Sequence, residues 1–316
     1  MSIIEKAANK LGVSSSSLSP VREDRPAPVD NDSLIEAAVA RLHTTSATSD
    51  QEPQVALDIS DELESQVDEV VTNAAQYVDL ARLKKMGTIT PDSEKSQIAE
   101  EFRIIKRPLI ANAFGQGTAR VKNGNLIMVT SSLPGEGKSF CAINLAISMA
   151  MEMDRTVLLV DADVARPRIP EYLGIHADKG LLDVLQDKSL QLSDVMIKTN
   201  IAKLTVLPAG RTYKRATELL ASAAMTNLVE DIGNRYHDRI IIFDSPPLLA
   251  TSEASVLATH MGQIVMVVEA EKTSQEAVSE ALNHLQSCEV VGMLLNKTTP
   301  SPGTDYYYGY YGSYGK

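Results

Sequence analysis

From residue 123 onwards, short apolar runs alternate with longer stretches in which apolar residues recur every three or four positions. Short apolar runs are typical of strands buried on both faces, and the longer stretches are typical of amphipathic helices. Regular alternation of the two predicts a parallel sheet wrapped by helices. The predicted strands are Leu126–Thr130, Thr156–Val160, Leu204–Leu207, Ile240–Phe243, Ile264–Val268 and Val290–Leu295.

Helical periodicity fills the gaps between these runs. The predicted helices are Ser139–Met151, Leu181–Gln186, Ala216–Arg235, Glu253–Thr259 and Ser274–Gln286. Another amphipathic stretch, Ser96–Arg107, precedes the alternating region, and Pro108 is expected to end or kink it. The sequence therefore predicts an α/β fold with a mostly parallel sheet and helices on both faces.

Residues 1–95 lack this regular pattern and are rich in Ser, Asp, Glu, Pro and Thr. Because such a composition buries little apolar surface, we expect a mostly disordered arm with two or three short helices, such as Ser33–Leu42. A linker without a specific role is an equally open interpretation. The predicted organisation is an arm at 1–95, a folded domain at 96–300 and a flexible tail at 301–316.

The formal net charge of −11 narrows the range of partners. Nucleic-acid binding depends on Lys and Arg that neutralise phosphates, so we expect no nucleic-acid partner. The two cysteines, Cys141 and Cys288, fit no metal-ligand spacing and indicate reduced thiols. No apolar stretch reaches the roughly 20 residues of a membrane span, and the N-terminus lacks the apolar core of a signal peptide. We therefore expect a cytoplasmic protein that reaches a membrane only through a partner.

The segment Ser132–Ser139 reads Ser-Leu-Pro-Gly-Glu-Gly-Lys-Ser and lies between a predicted strand and a predicted helix. This order is typical of a phosphate-binding loop (P-loop), in which glycines let the backbone approach the phosphates and the helix N-terminus attracts their charge. Lys138 is expected to reach the outer phosphates of ATP, and Ser139 to ligate Mg²⁺. Ser132 replaces the usual first glycine but is small enough for the turn. The expected ATP-binding residues of this segment are Pro134, Gly135, Glu136, Gly137, Lys138, Ser139 and Phe140.

Acidic residues close two of the predicted strands. Asp161 and Asp163 follow one strand in Asp-Ala-Asp, and Asp244 follows another in Asp-Ser-Pro-Pro. Ligands of open α/β sheets bind at the carboxyl ends of the strands. Mg²⁺ beside phosphates takes one or two carboxylates, and an attacking hydroxyl needs a group that accepts its proton. We therefore expect Asp161, Asp163 and Asp244 to share metal binding and catalysis with Lys138.

Asn296 ends the last predicted strand. Its amide offers the donor and the acceptor that an adenine edge requires, so we expect it to contact ATP. An ordinary turn residue is the alternative.

Six tyrosines crowd the C-terminal segment Asp305–Lys316, which has few aliphatic residues and several glycines. We expect this tail to be exposed and to offer acceptors for phosphate. An unmodified aromatic tail is the alternative. The candidate phosphoacceptors are Tyr306, Tyr307, Tyr308, Tyr310, Tyr311 and Tyr314.

The Pro-Gly-Glu-Gly-Lys-Ser loop, the two acidic motifs and the tyrosine tail together resemble the bacterial tyrosine kinase (BY-kinase) family of polysaccharide export. Within that family, Glu101–Leu109 and Asp161–Pro167 are most similar to the exosortase-associated (PEP-CTERM system) tyrosine autokinases. The resemblance implies an ATP- and Mg²⁺-dependent protein-tyrosine kinase that phosphorylates its own tail and regulates exopolysaccharide synthesis or export. It also implies a chain-length regulator of the inner membrane as the partner that holds the kinase at the membrane.

The same family assembles into rings through a Glu-x-x-Arg-x-x-Arg helix, which here reads Glu100, Arg103 and Lys106. The resemblance implies a homo-oligomer that uses these three residues, although Lys lacks the bidentate fork of Arg. A solvated charged helix face is the alternative. A second departure follows the first acidic motif, where Ala165 takes the usual place of an arginine and Arg166 stands beside it.

Two other functions stay open on the sequence. One is an ATP-driven switch that resembles the septum-site and partitioning ATPases, which carry a signature Lys early in the phosphate loop where this chain has Leu133. The other is a regulator of a membrane polysaccharide assembly complex that binds ATP without turnover.

Overall fold

A seven-stranded sheet forms the centre of the protein. The computed structural model describes residues 75–93, 96–115 and 120–299. The order across the sheet is β3-β4-β2-β5-β1-β6-β7, and every neighbouring pair is parallel except β3 with β4. The strands are β1 (Leu126–Ser131), β2 (Thr156–Asp161), β3 (Ile197–Lys198), β4 (Leu204–Leu207), β5 (Arg239–Asp244), β6 (Gln263–Glu269) and β7 (Val291–Asn296).

Helices cover both faces of this sheet. The first four, α1 to α4, contribute to the core on one face, and the other six contribute to the core on the opposite face. The helices are α1 (Leu80–Lys85), α2 (Gln97–Phe114), α3 (Lys138–Ala150), α4 (Ile169–Leu173), α5 (Leu181–Gln186), α6 (Leu192–Val195), α7 (Ala216–Leu220), α8 (Ala223–Arg235), α9 (Ser252–Ala258) and α10 (Gln275–Asn283). The predicted α/β fold is confirmed, and each predicted strand lies within one residue of an observed strand.

Two helices differ from their predicted extents. The helix predicted at 216–235 is two helices, because Ser222 caps α8 by accepting a hydrogen bond from Met225 N. Helix α2 continues through Pro108 to Phe114 instead of ending there. The proline removes one N–H, but Pro108 and Ile104, whose carbonyl loses that donor, are both exposed to solvent. Buried Leu109 and Ala113 keep the last turns packed on the domain.

Residues 75–93 belong to the folded domain, although the sequence places them in the arm. Val78, Leu83 and Ile89 are at most 1% exposed and lie in the core beside α2 and α3. The segment is also fixed by hydrogen bonds to distant residues, including Val78 N to Asn200 Oδ1 at 2.8 Å and Ile89 N to Asn144 Oδ1 at 2.7 Å. Three apolar side chains in a polar segment are a weak sequence signal, which is why the boundary at residue 95 is wrong for this part.

Two predictions lie outside the described residues: the disordered arm at 1–74 and the six tail tyrosines beyond residue 299. Among the helices that the structure describes, none combines the length and the apolar character needed to cross a bilayer.

The charged residues expected to mediate assembly separate into two groups on α2. Glu100 and Arg103 form an ion pair near the surface. Lys106 is only 6% exposed, and its Nζ lies 2.7 Å from Ser148 O and 2.6 Å from Glu152 Oε1. The ammonium group therefore joins α2 to the end of α3. Assembly through Glu100, Arg103 and Lys106 stays a prediction, although the buried ammonium group of Lys106 is engaged within its own chain.

Replacing Lys106 with Met is expected to lower stability by about 1–2 kcal/mol, because a charge-assisted hydrogen bond is lost while Glu152 stays partly solvated. Thermal unfolding should then shift down by roughly 3–6 °C. Arg107→Met, on the exposed side of the same turn, is the control and should stay within about 0.5 kcal/mol of the wild type. An unchanged melting temperature for Lys106→Met would contradict this assignment.

Candidate functional site

The predicted motifs meet at the carboxyl edge of the sheet. Strand β5 lies between β1 and β2, so the loop after β1 and the acids after β2 and β5 are neighbours. Asp161 and Asp244 are directly opposite each other in the β2–β5 register. Both are completely buried, and Asp163 is 5% exposed. The edge therefore gathers three carboxylates within one small region, as expected from the sequence.

The phosphate loop between β1 and α3 depends on the backbone of Gly137. This residue is the N-cap of α3 and has a φ of 97°, a conformation that other residues rarely adopt. A Cβ atom there would lie 2.1 Å from Asn296 Nδ2. Glycine is therefore required twice, for its φ and for the space that Asn296 occupies. The N-terminus of α3 that follows can attract phosphate oxygens.

Lys138 connects the phosphate loop to the acids. Its Nζ lies 2.7 Å from Asp163 Oδ2 and 3.5 Å from Asp244 Oδ1. Asp161 is held differently, because its Oδ2 accepts hydrogen bonds from Arg168 N at 3.0 Å and Ile169 N at 2.9 Å. Three carboxylates face one ammonium group, so the site has a surplus of negative charge.

Burial and mutual repulsion shift the ionisation of these groups. Burial, with repulsion from Asp244, raises the pKa of Asp161 to about 8. Burial also raises the pKa of Asp244 to about 6, against the attraction of Lys138. For Lys138 burial alone would lower the pKa, but Asp244 and Asp163 raise it above its ordinary value. In Cys141, burial and Asp244 raise the thiol pKa to about 12, which indicates an unreactive thiol.

The acid cluster fits a magnesium ion. Asp161 Oδ1 and Asp244 Oδ2 are buried and have no hydrogen-bond partner among the described residues. Buried anionic oxygens without donors are stabilised by a cation. Within the described ranges, no three His, Cys, Asp or Glu side chains form a complete metal site by themselves. Mg²⁺ would therefore bind here together with phosphates, since it takes only one or two protein carboxylates.

A cavity of about 690 Å³ opens beside the phosphate loop. This volume lies in the range of about 300–1,000 Å³ that is usual for small-molecule sites. Most of the predicted ATP-binding residues line it, together with Asp163. The residues that were predicted to bind ATP and that line the cavity are Pro134, Gly135, Gly137, Lys138, Ser139 and Phe140.

Glu136 and Asn296 lie behind the phosphate loop and do not line this cavity. The Glu136 carboxylate is 2% exposed and accepts a hydrogen bond from Leu133 N at 2.7 Å. Asn296 Nδ2 donates to Glu136 O at 2.8 Å. One of the two N–H groups of the Asn296 amide is thus engaged with the loop. Direct contacts of Glu136 and Asn296 with ATP stay predictions.

The cavity is also lined by residues that were not predicted to bind ATP. Arg166 and Arg168 follow the acidic motif, and the backbone N–H of Arg166 donates to Asp163 Oδ1 at 3.1 Å. Tyr172 and Thr251 complete the wall. The two arginines could have been predicted from the sequence, because they follow Asp163 closely and positive side chains near a phosphate site attract phosphate. Tyr172 and Thr251 carry no local sequence signal.

Several known proteins are similar to this chain in sequence. Residues 124–296 match the AAA domain family. The tyrosine-protein kinase YwqD of Bacillus subtilis is 32% identical over 229 residues, which cover 72% of this chain and 92% of YwqD. The succinoglycan biosynthesis transport protein ExoP of Rhizobium meliloti is 31% identical over 225 residues, which cover 70% of this chain but 27% of ExoP.

A solved structure gives the same result. The kinase domain of the Escherichia coli tyrosine kinase ETK is similar with a TM-score of 0.58 and 26% sequence identity. The match covers 67% of this chain and 82% of that chain. Sequence and fold are therefore both similar to those of tyrosine-protein kinases.

Proposed function

The chain belongs to the bacterial tyrosine-protein kinase family, and from that membership we propose that it transfers the γ-phosphoryl group of ATP to the tyrosines of its own C-terminal tail. The observation that carries this proposal is the position of Lys138, which joins the phosphate loop to Asp163 at the wall of an open cavity. A cation that lies between a phosphate site and a carboxylate on the cavity wall suits phosphoryl transfer to a hydroxyl group.

In the proposed chemistry, the residues of the site have three roles. Lys138 leaves its carboxylate partners and binds the outer phosphates, whose charge it neutralises during transfer. Asp163 accepts the phenolic proton as the tyrosine oxygen bonds to the γ-phosphorus and the bond to the ADP oxygen breaks. Ser139, Asp161 and Asp244 would hold Mg²⁺, which supplies positive charge against the phosphates when it is bound.

The cellular setting is a second part of the proposal. The succinoglycan biosynthesis transport protein ExoP is a relative, so we propose that this kinase regulates exopolysaccharide synthesis or export. Recruitment to the inner membrane by a chain-length regulator, assembly into a homo-oligomeric ring, and membership of the exosortase-associated subtype belong to the same proposal. Motif similarity at residues 101–109 and 161–167 supports the subtype.

The kinase function is tested by incubating the full chain with ATP and Mg²⁺ and mapping the phosphopeptides. Phosphate is expected on the tail, and a variant with all six tail tyrosines changed to Phe should lose most of the label. The tyrosines outside the tail, Tyr77, Tyr172, Tyr213 and Tyr236, serve as internal controls. Their preferential labelling would show that the tail is not the main acceptor.

The same assay separates the kinase from the alternative functions. Hydrolysis of ATP without phosphotyrosine, even with the cytoplasmic part of a candidate membrane partner present, would favour an ATP-driven switch. Binding of ATP without hydrolysis and without phosphotyrosine would favour a regulator that binds ATP but does not react with it. Leu133, in place of the signature Lys of the positioning ATPases, supports the kinase.

A further inference from the structure

The phosphate loop is held from behind by Glu136. One oxygen of its carboxylate, Oε2, accepts the N–H of Leu133 at the start of the loop. The other oxygen, Oε1, accepts the hydroxyl of Thr273, a residue 137 positions further along the chain. Thr273 lies between β6 and α10 and is also hydrogen-bonded to Glu269 N through its Oγ1 at 3.3 Å. The carboxylate thus connects the start of the loop to the segment that follows β6.

A second connection binds the loop backbone. Asn296 Nδ2 donates to Glu136 O, and Lys297 Nζ donates to Gly135 O at 2.7 Å. Lys297 also pairs with Glu269 at 3.1 Å, so both connections converge on the end of β6. We call Glu136, Thr273, Asn296 and Lys297 the loop brace.

The backbone near the brace is itself constrained. Glu271 and Lys297 have φ angles of 62° and 57°, in the left-handed region that residues with a side chain rarely adopt. Such conformations persist where surrounding contacts hold them, and they are common beside ligand sites. Glu271 precedes Thr273 by two residues, and Lys297 directly follows Asn296.

We propose that Glu136 and Thr273 are positioning residues that set the affinity for nucleotide by holding the phosphate loop in its binding conformation. Neither side chain lines the cavity, so both act through the loop backbone. A carboxylate close to phosphates repels them, which means that Glu136 contributes through its hydrogen-bond geometry. If the brace opens, only a fraction of the molecules has a competent loop, and the apparent dissociation constant rises in inverse proportion.

The test compares Thr273→Val, which keeps the shape and removes the hydroxyl, with Thr273→Ser, which keeps the hydroxyl. The dissociation constant for ADP with Mg²⁺ is measured by calorimetry on the full chain, and the melting temperature is measured without nucleotide. Thr273→Val is expected to weaken binding about 5- to 10-fold, and Thr273→Ser should stay within about 2-fold of the wild type. Because a loop opens locally, both melting temperatures should stay within about 2 °C of the wild type. Thr259→Val, at an exposed threonine directly after α9, is the control and should keep the wild-type affinity.

Wild-type affinity in Thr273→Val, or equally weak binding in Thr273→Ser, would overturn the proposal. If Thr273→Val does not fold, Glu136→Met replaces it, because the thioether keeps the length of the side chain but is a poor acceptor for both Leu133 N–H and the Thr273 hydroxyl. Unchanged ADP affinity in Glu136→Met would likewise overturn the proposal. The inference requires nucleotide binding but not tyrosine transfer, so loss of ADP affinity supports it even if no phosphotyrosine forms.

Discussion

Lys138→Met is expected to reduce tail phosphorylation at least about 100-fold, the usual effect of removing a group that stabilises charge in a transition state. Methionine fills the same space without the charge that reaches Asp163 and Asp244. The nucleotide-free variant should also be less stable, because two buried carboxylates lose their cation. Anti-phosphotyrosine detection over a time course measures the first effect, and thermal unfolding measures the second.

Lys188→Met is the matched control for that experiment, because Lys188 is an exposed lysine away from the cavity. It should phosphorylate the tail at the wild-type rate. Persistent phosphorylation in Lys138→Met would show that the reacting phosphate is not bound by the loop at 132–139, and the assignment of the site would then fail.

Asp161→Asn is expected to separate activity from stability. Phosphorylation should fall about 100- to 1,000-fold, because the amide is a poor ligand for the cation that offsets the phosphates. The nucleotide-free protein should nevertheless become more stable by about 1 kcal/mol, or roughly 2–4 °C. The amide oxygen can still accept from Arg168 N and Ile169 N, while the NH₂ group can donate to the unpartnered oxygen of Asp244.

The pH dependence of this effect has a defined sign. The pKa of Asp161 is raised from 3.8 to about 8 in the folded protein. Because the folded protein binds this proton more tightly than the unfolded chain, protonation of Asp161 stabilises the folded state at low pH. That stabilisation is lost as the pH rises from the pKa of the unfolded chain through the pKa of the folded protein. The stability gained by Asp161→Asn should therefore grow between about pH 4 and pH 8 and then level off. Thermal unfolding in EDTA without nucleotide measures it.

Glu280→Gln, at an exposed position on α10, is a suitable control and should show no such growth. A lower melting temperature for Asp161→Asn at every pH would mean that the carboxylate stabilises the folded protein. Wild-type phosphorylation in Asp161→Asn would remove Asp161 from the proposed site.

Local sequence was sufficient for the six parallel strands, for most of the helices around them and for the centre of the site. Apolar runs such as Arg239–Asp244 predict buried strands because helices cover both faces of a parallel sheet, so that side chains on either side of a central strand are buried. The phosphate loop is equally local, since Gly137 and Lys138 act within one strand, turn and helix. The acids at strand ends were predictable because parallel strands expose their carboxyl ends on one edge.

Contacts between distant segments could not be predicted in this way. Lys106 has the sequence pattern of an exposed charged helix, yet it is buried because α2 packs on α3. Asn296 and Thr273 reach Glu136 across 160 and 137 residues, which requires β6 to lie beside β1 and β7 to lie beside β6. Helical and strand periodicity depend on neighbours a few residues apart, whereas these contacts depend on strand order and on the packing of whole elements. The sequence thus contained the phosphate loop and its acids, and the fold supplied the residues that hold them in position.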